Sequence, residues 1–196
     1  PHKSVFDLDY VGVKASQFSF SRLAKADPVL GVDMASTGEV GCLGDSFHEA
    51  LLKAMYSVGY RMPVKAVLIS SGPAKAKADL LEAVRLLEKR GYTLFATRGT
   101  QQFLSNAGIA AKVAHWPDEQ ASPNTVELIR QRVVDLVINI PKDLSATELS
   151  NDYQIRRSAV DYNIPLITNA RLASAFINAF CSVPESEMEI KAWDEY

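Results

Sequence analysis

Residues 93–104 read TLFATRGTQQFL. A short run rich in β-branched and aromatic residues breaks at Thr97-Arg98-Gly99-Thr100, and helical spacing begins straight after it. A strand that passes into a helix through so short a polar junction is the βα step of a parallel sheet. The junction also poses a chemical question. Its hydroxyls either cap the helix or hold an anion against the unpaired N–H groups of the first turn.

Working outward, the same alternation runs from residue 64 to residue 180. Strands are expected at 64–71 (VKAVLISS), 92–97 (YTLFAT), 110–114 (AAKVA), 135–140 (DLVINI) and 165–169 (PLITN). Several are nearly continuous apolar runs, as strands buried on both faces require. Helical patterns lie between and after them, at 77–91, 100–108, 124–134, 151–163 and 171–180, with Gly91 and Gly108 placed to end two of them. The expected fold is α/β, a small doubly wound parallel sheet of five strands spanning residues 63–196.

Residues 1–62 follow another pattern. VKASQFSF (13–20) alternates like a half-exposed antiparallel strand, 23–44 is punctuated by Gly and Pro and reads as loop, and 45–59 reads as a helix. Ser46 and Glu49 have capping-box spacing, and Gly59 stands where that helix should stop. One helix and one or two strands are too little to fold alone, so this α+β tail is expected to be the end of a larger domain or an arm packed on the second unit. The chain opens on Pro1 rather than Met, as expected of a piece of something longer.

Composition narrows the function. With 196 residues, a formal charge of −2 and a pI near 6.0, the chain has no basic excess for general nucleic-acid or membrane-surface binding. Cys42 and Cys181 are far apart and form no CxxC pair, which suits a reducing, cytoplasmic compartment. No apolar run is long enough to span a bilayer.

In a doubly wound sheet ligands bind beyond the carboxyl ends of the strands. Those ends carry Ser70-Ser71-Gly72, Thr97 to Thr100, His115-Trp116, Asn139 and Thr168-Asn169, a donor-rich set without a carboxylate cluster or a metal-spaced Cys/His group. Each has an ordinary alternative. Thr97 and Thr100 suit a helix start, Lys77 suits solvent, Trp116 suits packing, and Asn139 suits a turn cap. His115 has no Ser or Cys beside it in sequence. Asp152–Arg156 and Arg157–Asp161 are each four apart, and pairing on a helix surface is the simple account of both. The glycine fingerprint of dinucleotide-binding folds is absent from SSGPAKAK.

The segment DPVLGVDMASTGEVGCLGDSFHEALLKAM (27–55) resembles the end of the second ATP-grasp unit of carbamoyl phosphate synthetase large chains. LFATRGT, DLVINIP and YQIRRSAVDYNIPLITN resemble the methylglyoxal-synthase-like allosteric domain that closes those chains. The resemblance implies that 1–62 is the tail of the ATP-grasp unit and 63–196 the effector-binding domain of an enzyme making carbamoyl phosphate from glutamine or ammonia, bicarbonate and ATP, for arginine or pyrimidine biosynthesis. It also implies that ATP and Mg or Mn belong to the parent enzyme, with no cofactor here. The remaining partners would be the rest of the large chain and a glutaminase small subunit, and neither nucleic acid nor membrane. The location would be cytoplasmic, or the mitochondrial matrix for a urea-cycle type. The E-x-N-x-R metal strand of that family is missing, so the chain alone is expected to be inactive.

By the same resemblance Lys77, Thr97, Thr100, Trp116 and Asn139 fall at effector positions. Where N-acetylglutamate-responsive members offer asparagine amides, this sequence has Lys142 and Asp152. An acid there repels a dicarboxylate and the two lysines favour a phosphate, so a nucleotide is the expected effector and N-acetylglutamate the alternative. Two rival functions are a methylglyoxal-synthase-type lyase and a vestigial oligomerisation domain. The lyase needs a carboxylate base in a Gly-Gly-Asp turn, whereas AHWPDEQASPN (114–124) offers only Asp118 without the glycines.

Overall fold

The computed structural model describes residues 8–29, 36–63, 65–141 and 146–196. An antiparallel hairpin of β1 (Val11–Gln17) and β2 (Gly38–Gly44) leads into helix α1 (Phe47–Ser57). The α/β unit follows as β3 (Ala66–Ser71), α2 (Ala74–Lys89), β4 (Thr93–Thr97), α3 (Arg98–Asn106), β5 (Lys112–Ala114), α4 (Thr125–Arg130), β6 (Leu136–Ile140), α5 (Ala146–Asp161), β7 (Leu166–Ile167) and α6 (Ala170–Ser182).

The sheet has five strands in the order β5-β4-β3-β6-β7, and every neighbouring pair is parallel. The expected doubly wound α/β fold is therefore the one found. The order reverses between β3 and β6, whose carboxyl ends bring Ser70 opposite Asn139 and Ser71 opposite Ile140. Strand alternation divides the core in two. Val67, Ile69, Leu94, Ala96, Leu136 and Ile138 face one apolar cluster, while Ala66, Leu68, Phe95 and Val137 face the other. The first cluster is sealed by α2, α6 and α1, the second by α4 and α5. Each fully buried Leu or Ile contributes about 1.5–3 kcal/mol of transfer free energy.

Two helix ends differ from expectation. The helix read over 124–134 stops at Arg130. Arg132 takes a left-handed φ of 52°, its N–H bonds to the Ile129 carbonyl, and the Val133 N–H reaches back to Leu128, closing the double bond pattern of a Schellman end. No glycine marks that stop. The strand read over 165–169 keeps only Leu166 and Ile167, because Asn169 leaves the ladder to cap α6, accepting from the Leu172 N–H at 3.0 Å. The expected terminators Gly59, Gly91 and Gly108 all have positive φ.

The stretch read as loop before residue 45 contains β2, registered against β1 from Val11↔Gly44 to Gln17↔Gly38. Gly44 is required there by contact: a Cβ at that position would lie 2.6 Å from the Ala50 nitrogen of α1. At the start of α1, Ser46 accepts from the Glu49 N–H as expected, but the Glu49 carboxylate bonds to Asp45 N–H, one residue earlier than a standard box. Leu51, Leu52 and Met55 of α1 enter the same cluster as Val67 and Ile69. Tyr60 donates to the Leu166 carbonyl at 2.7 Å, and burial pushes its phenol up to about 12. At the far end of the chain, Tyr196 donates to the Leu43 carbonyl, accepts from Lys53, and sets its ring edge-on to Tyr10 at 5.7 Å. Among the described residues no helix is long and apolar enough to cross a membrane.

Candidate functional site

The polar ends of β3, β4 and β6 meet, whereas Trp116 beyond β5 and Thr168-Asn169 beyond β7 lie elsewhere. Thr97 occupies the N-cap position of α3 with extended backbone (φ −61°, ψ 149°), yet its side chain caps nothing. Its hydroxyl turns to the neighbouring strand and donates to Ser70 Oγ at 3.3 Å. Thr100, in the first turn, accepts from the Ser71 N–H at 3.0 Å and donates to the Ser71 carbonyl at 3.1 Å, so one hydroxyl stitches α3 to the end of β3. Both threonines are 3% exposed. The Ser71 hydroxyl beside them is buried and has no hydrogen-bond partner among the described residues. A buried hydroxyl left unpaired is costly, so this atom is set to accept or donate to something else. Sequence reading placed Ser71 at a strand end without giving it a role.

Lys77 lies in the first turn of α2, whose N-cap is Pro73, again without a side-chain cap. Its ammonium comes within 3.8 Å of where a Cβ on Gly99 would sit, placing a full positive charge beside the start of α3. That helix end itself carries roughly half a positive charge. Cation, helix dipole and hydroxyls thus gather around one crevice, and the arrangement can hold a phosphate or carboxylate.

Asn139, at the end of β6, is fully buried and orients by charge. Its Oδ1 accepts from Arg156 Nη1 at 2.8 Å and its Nδ2 donates to Asp152 Oδ1 at 2.7 Å. An inverted amide would set donor against donor and acceptor against acceptor, so the orientation is fixed. The simple account of Asp152 and Arg156 as a helix-surface pair is corrected here, because both are buried and Arg156 is 0% exposed. Arg156 continues outward to the β1–β2 connection, where Nε and Nη2 fork onto the two oxygens of Asp27 at 2.8 and 2.6 Å. Arg157 pairs with Asp161 as expected, and its Nη1 also donates to the Phe20, Leu23 and Ala26 carbonyls. Nothing local in the sequence signals Arg156, since Asp27 is 129 residues away.

Trp116 is half-buried and packs on the apolar cluster beneath α4 and α5. The preceding His115 contacts Glu119 through Nδ1 at 2.8 Å, and Asp118 is exposed. Lys142 lies outside the described residues. A separate cavity of about 830 Å³ opens between β1, α1 and β7, lined by Val13, Phe18, Met55, Tyr60 and Leu166 and by none of the crevice residues. Among the described residues no group of three His, Cys, Asp or Glu side chains is placed to hold a metal.

Sheet order and crevice together define a doubly wound α/β domain with an anion-ready switch point. The particular family follows from comparison: the chain carries an MGS-like domain, matched over residues 79–168. It is 46% identical over 181 residues to the multifunctional protein ura1 of Schizosaccharomyces pombe, covering 88% of this chain and 8% of that protein. It is 44% identical over 180 residues to the multifunctional protein URA2 of Saccharomyces cerevisiae, covering 87% of this chain and 8% of the relative. Against the human mitochondrial carbamoyl-phosphate synthase [ammonia] it is 38% identical over 179 residues, 89% of this chain and 12% of the enzyme. The chain thus spans about a tenth of the length of these relatives.

Proposed function

We propose that this chain is the effector-binding regulatory region of a larger carbamoyl-phosphate-synthesising protein, and that the α3 crevice takes the effector's anionic group. The observation that carries the reading is Thr97, which holds the N-cap position of α3 and leaves the helix start uncapped. Lys77 and the Ser71 hydroxyl, unpartnered among the described residues, support it. The relatives' names support the carbamoyl-phosphate context.

A nucleotide monophosphate of uridine or a purine suits the crevice better than N-acetylglutamate. Its phosphate would sit at Thr97 and Thr100 near Lys77, with the base or ribose toward Trp116. Asp152 backs Asn139 with a carboxylate, which disfavours a second carboxylate on the ligand. In this reading residues 1–62 are the tail of an ATP-grasp unit, ATP and its metal act elsewhere in the parent chain, and the pathway served is pyrimidine synthesis in the cytoplasm, with glutaminase as a partner activity.

Calorimetric titration with UMP, IMP and N-acetylglutamate tests this. Binding of a nucleotide is the expected result. Binding of N-acetylglutamate alone would overturn the nucleotide assignment, and silence of all three would favour a vestigial pocket. Production of methylglyoxal from dihydroxyacetone phosphate would make the domain a lyase instead.

A further inference from the structure

The Arg156 guanidinium is shared between two places that sequence treats as unrelated. On its dry side it fixes the Asn139 amide, whose residue pairs across the sheet with Ser70. On its outer side it forks onto Asp27, whose side chain is 38% exposed. Asp27 belongs to a short stretch that several side chains of α5 hold. Besides the fork, Arg157 gathers the carbonyls of Phe20, Leu23 and Ala26, and Tyr153 donates to the Lys25 carbonyl, where the backbone takes a φ of 66°. Asp27 Oδ1 also accepts from the Val29 N–H.

We propose that Arg156 is a positioning residue that couples occupancy of the crevice to the docking of residues 20–29, by competition for one cation. This rests on the crevice being an anion site. An anion bound beside Asn139 draws on the positive charge that otherwise belongs to Asp27, so binding weakens the fork. Conversely, removing the Asp27 charge leaves the guanidinium with less compensating charge, Asp152 remaining on its inner side, and raises affinity for an anion. By linkage, the factor by which a bound anion loosens the docking equals the factor by which undocking tightens the anion. A purely structural Arg156 makes a different forecast, in which loss of Asp27 lowers stability and leaves affinity the same or weaker.

The test uses the 196-residue chain. Titration with UMP is expected to show at least about fivefold tighter binding in Asp27→Asn and at least about fivefold weaker binding in Arg156→Lys, since a lysine cannot keep both the fork and the Asn139 bond. Unchanged or weaker binding in Asp27→Asn would overturn the proposal. A second arm needs no ligand. Trypsin cleavage at Arg22 and Lys25 is compared with cleavage at Lys89, inside α2, in the unmodified chain and in Asn139→Ala. Loss of the inner anchor is expected to raise the ratio at least threefold, and an unchanged ratio would overturn the coupling. If UMP, IMP and N-acetylglutamate all fail to bind, the effector reading falls while the cleavage arm still decides whether Asn139 and the 20–29 stretch are linked.

Discussion

Two kinds of α-helix start occur among the described residues. Three of them, in α1, α4 and α6, are closed by Ser46, Asn124 and Asn169, each accepting a backbone N–H three residues on. Two others, in α2 and α3, begin at Pro73 and Thr97 without any side-chain cap. The uncapped pair is the pair that meets at the switch point, beside the Lys77 ammonium. A threonine at an N-cap can satisfy its own helix, and Thr97 does not. The difference teaches that a helix start can be closed by its own N-cap side chain or left with first-turn donors that solvent or an anion can take, and the two starts beside Lys77 are of the second kind.

The comparison can be broken most forcefully through α1. Leu52 is fully buried in the cluster shared with Ile69 and Phe176. Leu52→Ala should destabilise the chain by about 2–5 kcal/mol in denaturant titration while nucleotide affinity stays put. A large affinity loss would show that capped helices also serve the site.

Next in size are the crevice threonines. Thr100→Ala strips the buried Ser71 N–H of its acceptor and should cost about 1–3 kcal/mol. Thr97→Ala should cost less stability than Asn124→Ala, because its hydroxyl caps nothing, yet weaken UMP binding about tenfold, a change of ~1.4 kcal/mol. Unfolding and calorimetry on the same preparations separate the two.

Smaller again, Ser46→Ala, Asn124→Ala and Asn169→Ala should each cost about 1 kcal/mol of stability with UMP affinity unchanged. The smallest effect concerns acid. At the start of α4, the Glu127 carboxylate accepts from the Asn124 N–H and from the Ser122 hydroxyl, which holds it below the usual glutamate range. A carboxyl lowered in the folded state contributes stability above its unfolded pKa and loses it as pH falls through the folded value. Melting temperature should therefore drop a little more steeply with acidification in the parent chain than in Glu127→Gln, and identical slopes would remove the carboxylate from the account of α4.

Much of the fold was legible because parallel strands buried on both faces are written as local apolar runs, such as Val67 to Ile69 and Leu136 to Ile138. Helix stops were legible where Gly91 and Gly108 stand, and illegible at Arg132, which adopts the same left-handed geometry without the compositional sign. Strand β2 was hidden because its glycines read as punctuation, whereas pairing with β1 and the tight approach of Ala50 to Gly44 decide its conformation. In the crevice, the strand ends announced Thr97, Thr100 and Asn139 as polar where apolar runs stop. Whether a threonine caps its helix depends on a neighbouring strand, and whether Arg156 is buried depends on Asp27, so neither could be read from nearby letters.

The meeting of Tyr10 and Tyr196 has a topological consequence. With Lys53 and the Leu43 carbonyl completing the clasp, the described chain closes almost into a ring. A ring has no obligatory starting point. A protein made of residues 8–196, joined by a few residues across that corner and opened in the exposed turn after Trp116, should keep every strand beside the same neighbours. The sheet order is thus a property of which surfaces fit together, and the point at which the backbone is opened is only one of several ways to write it.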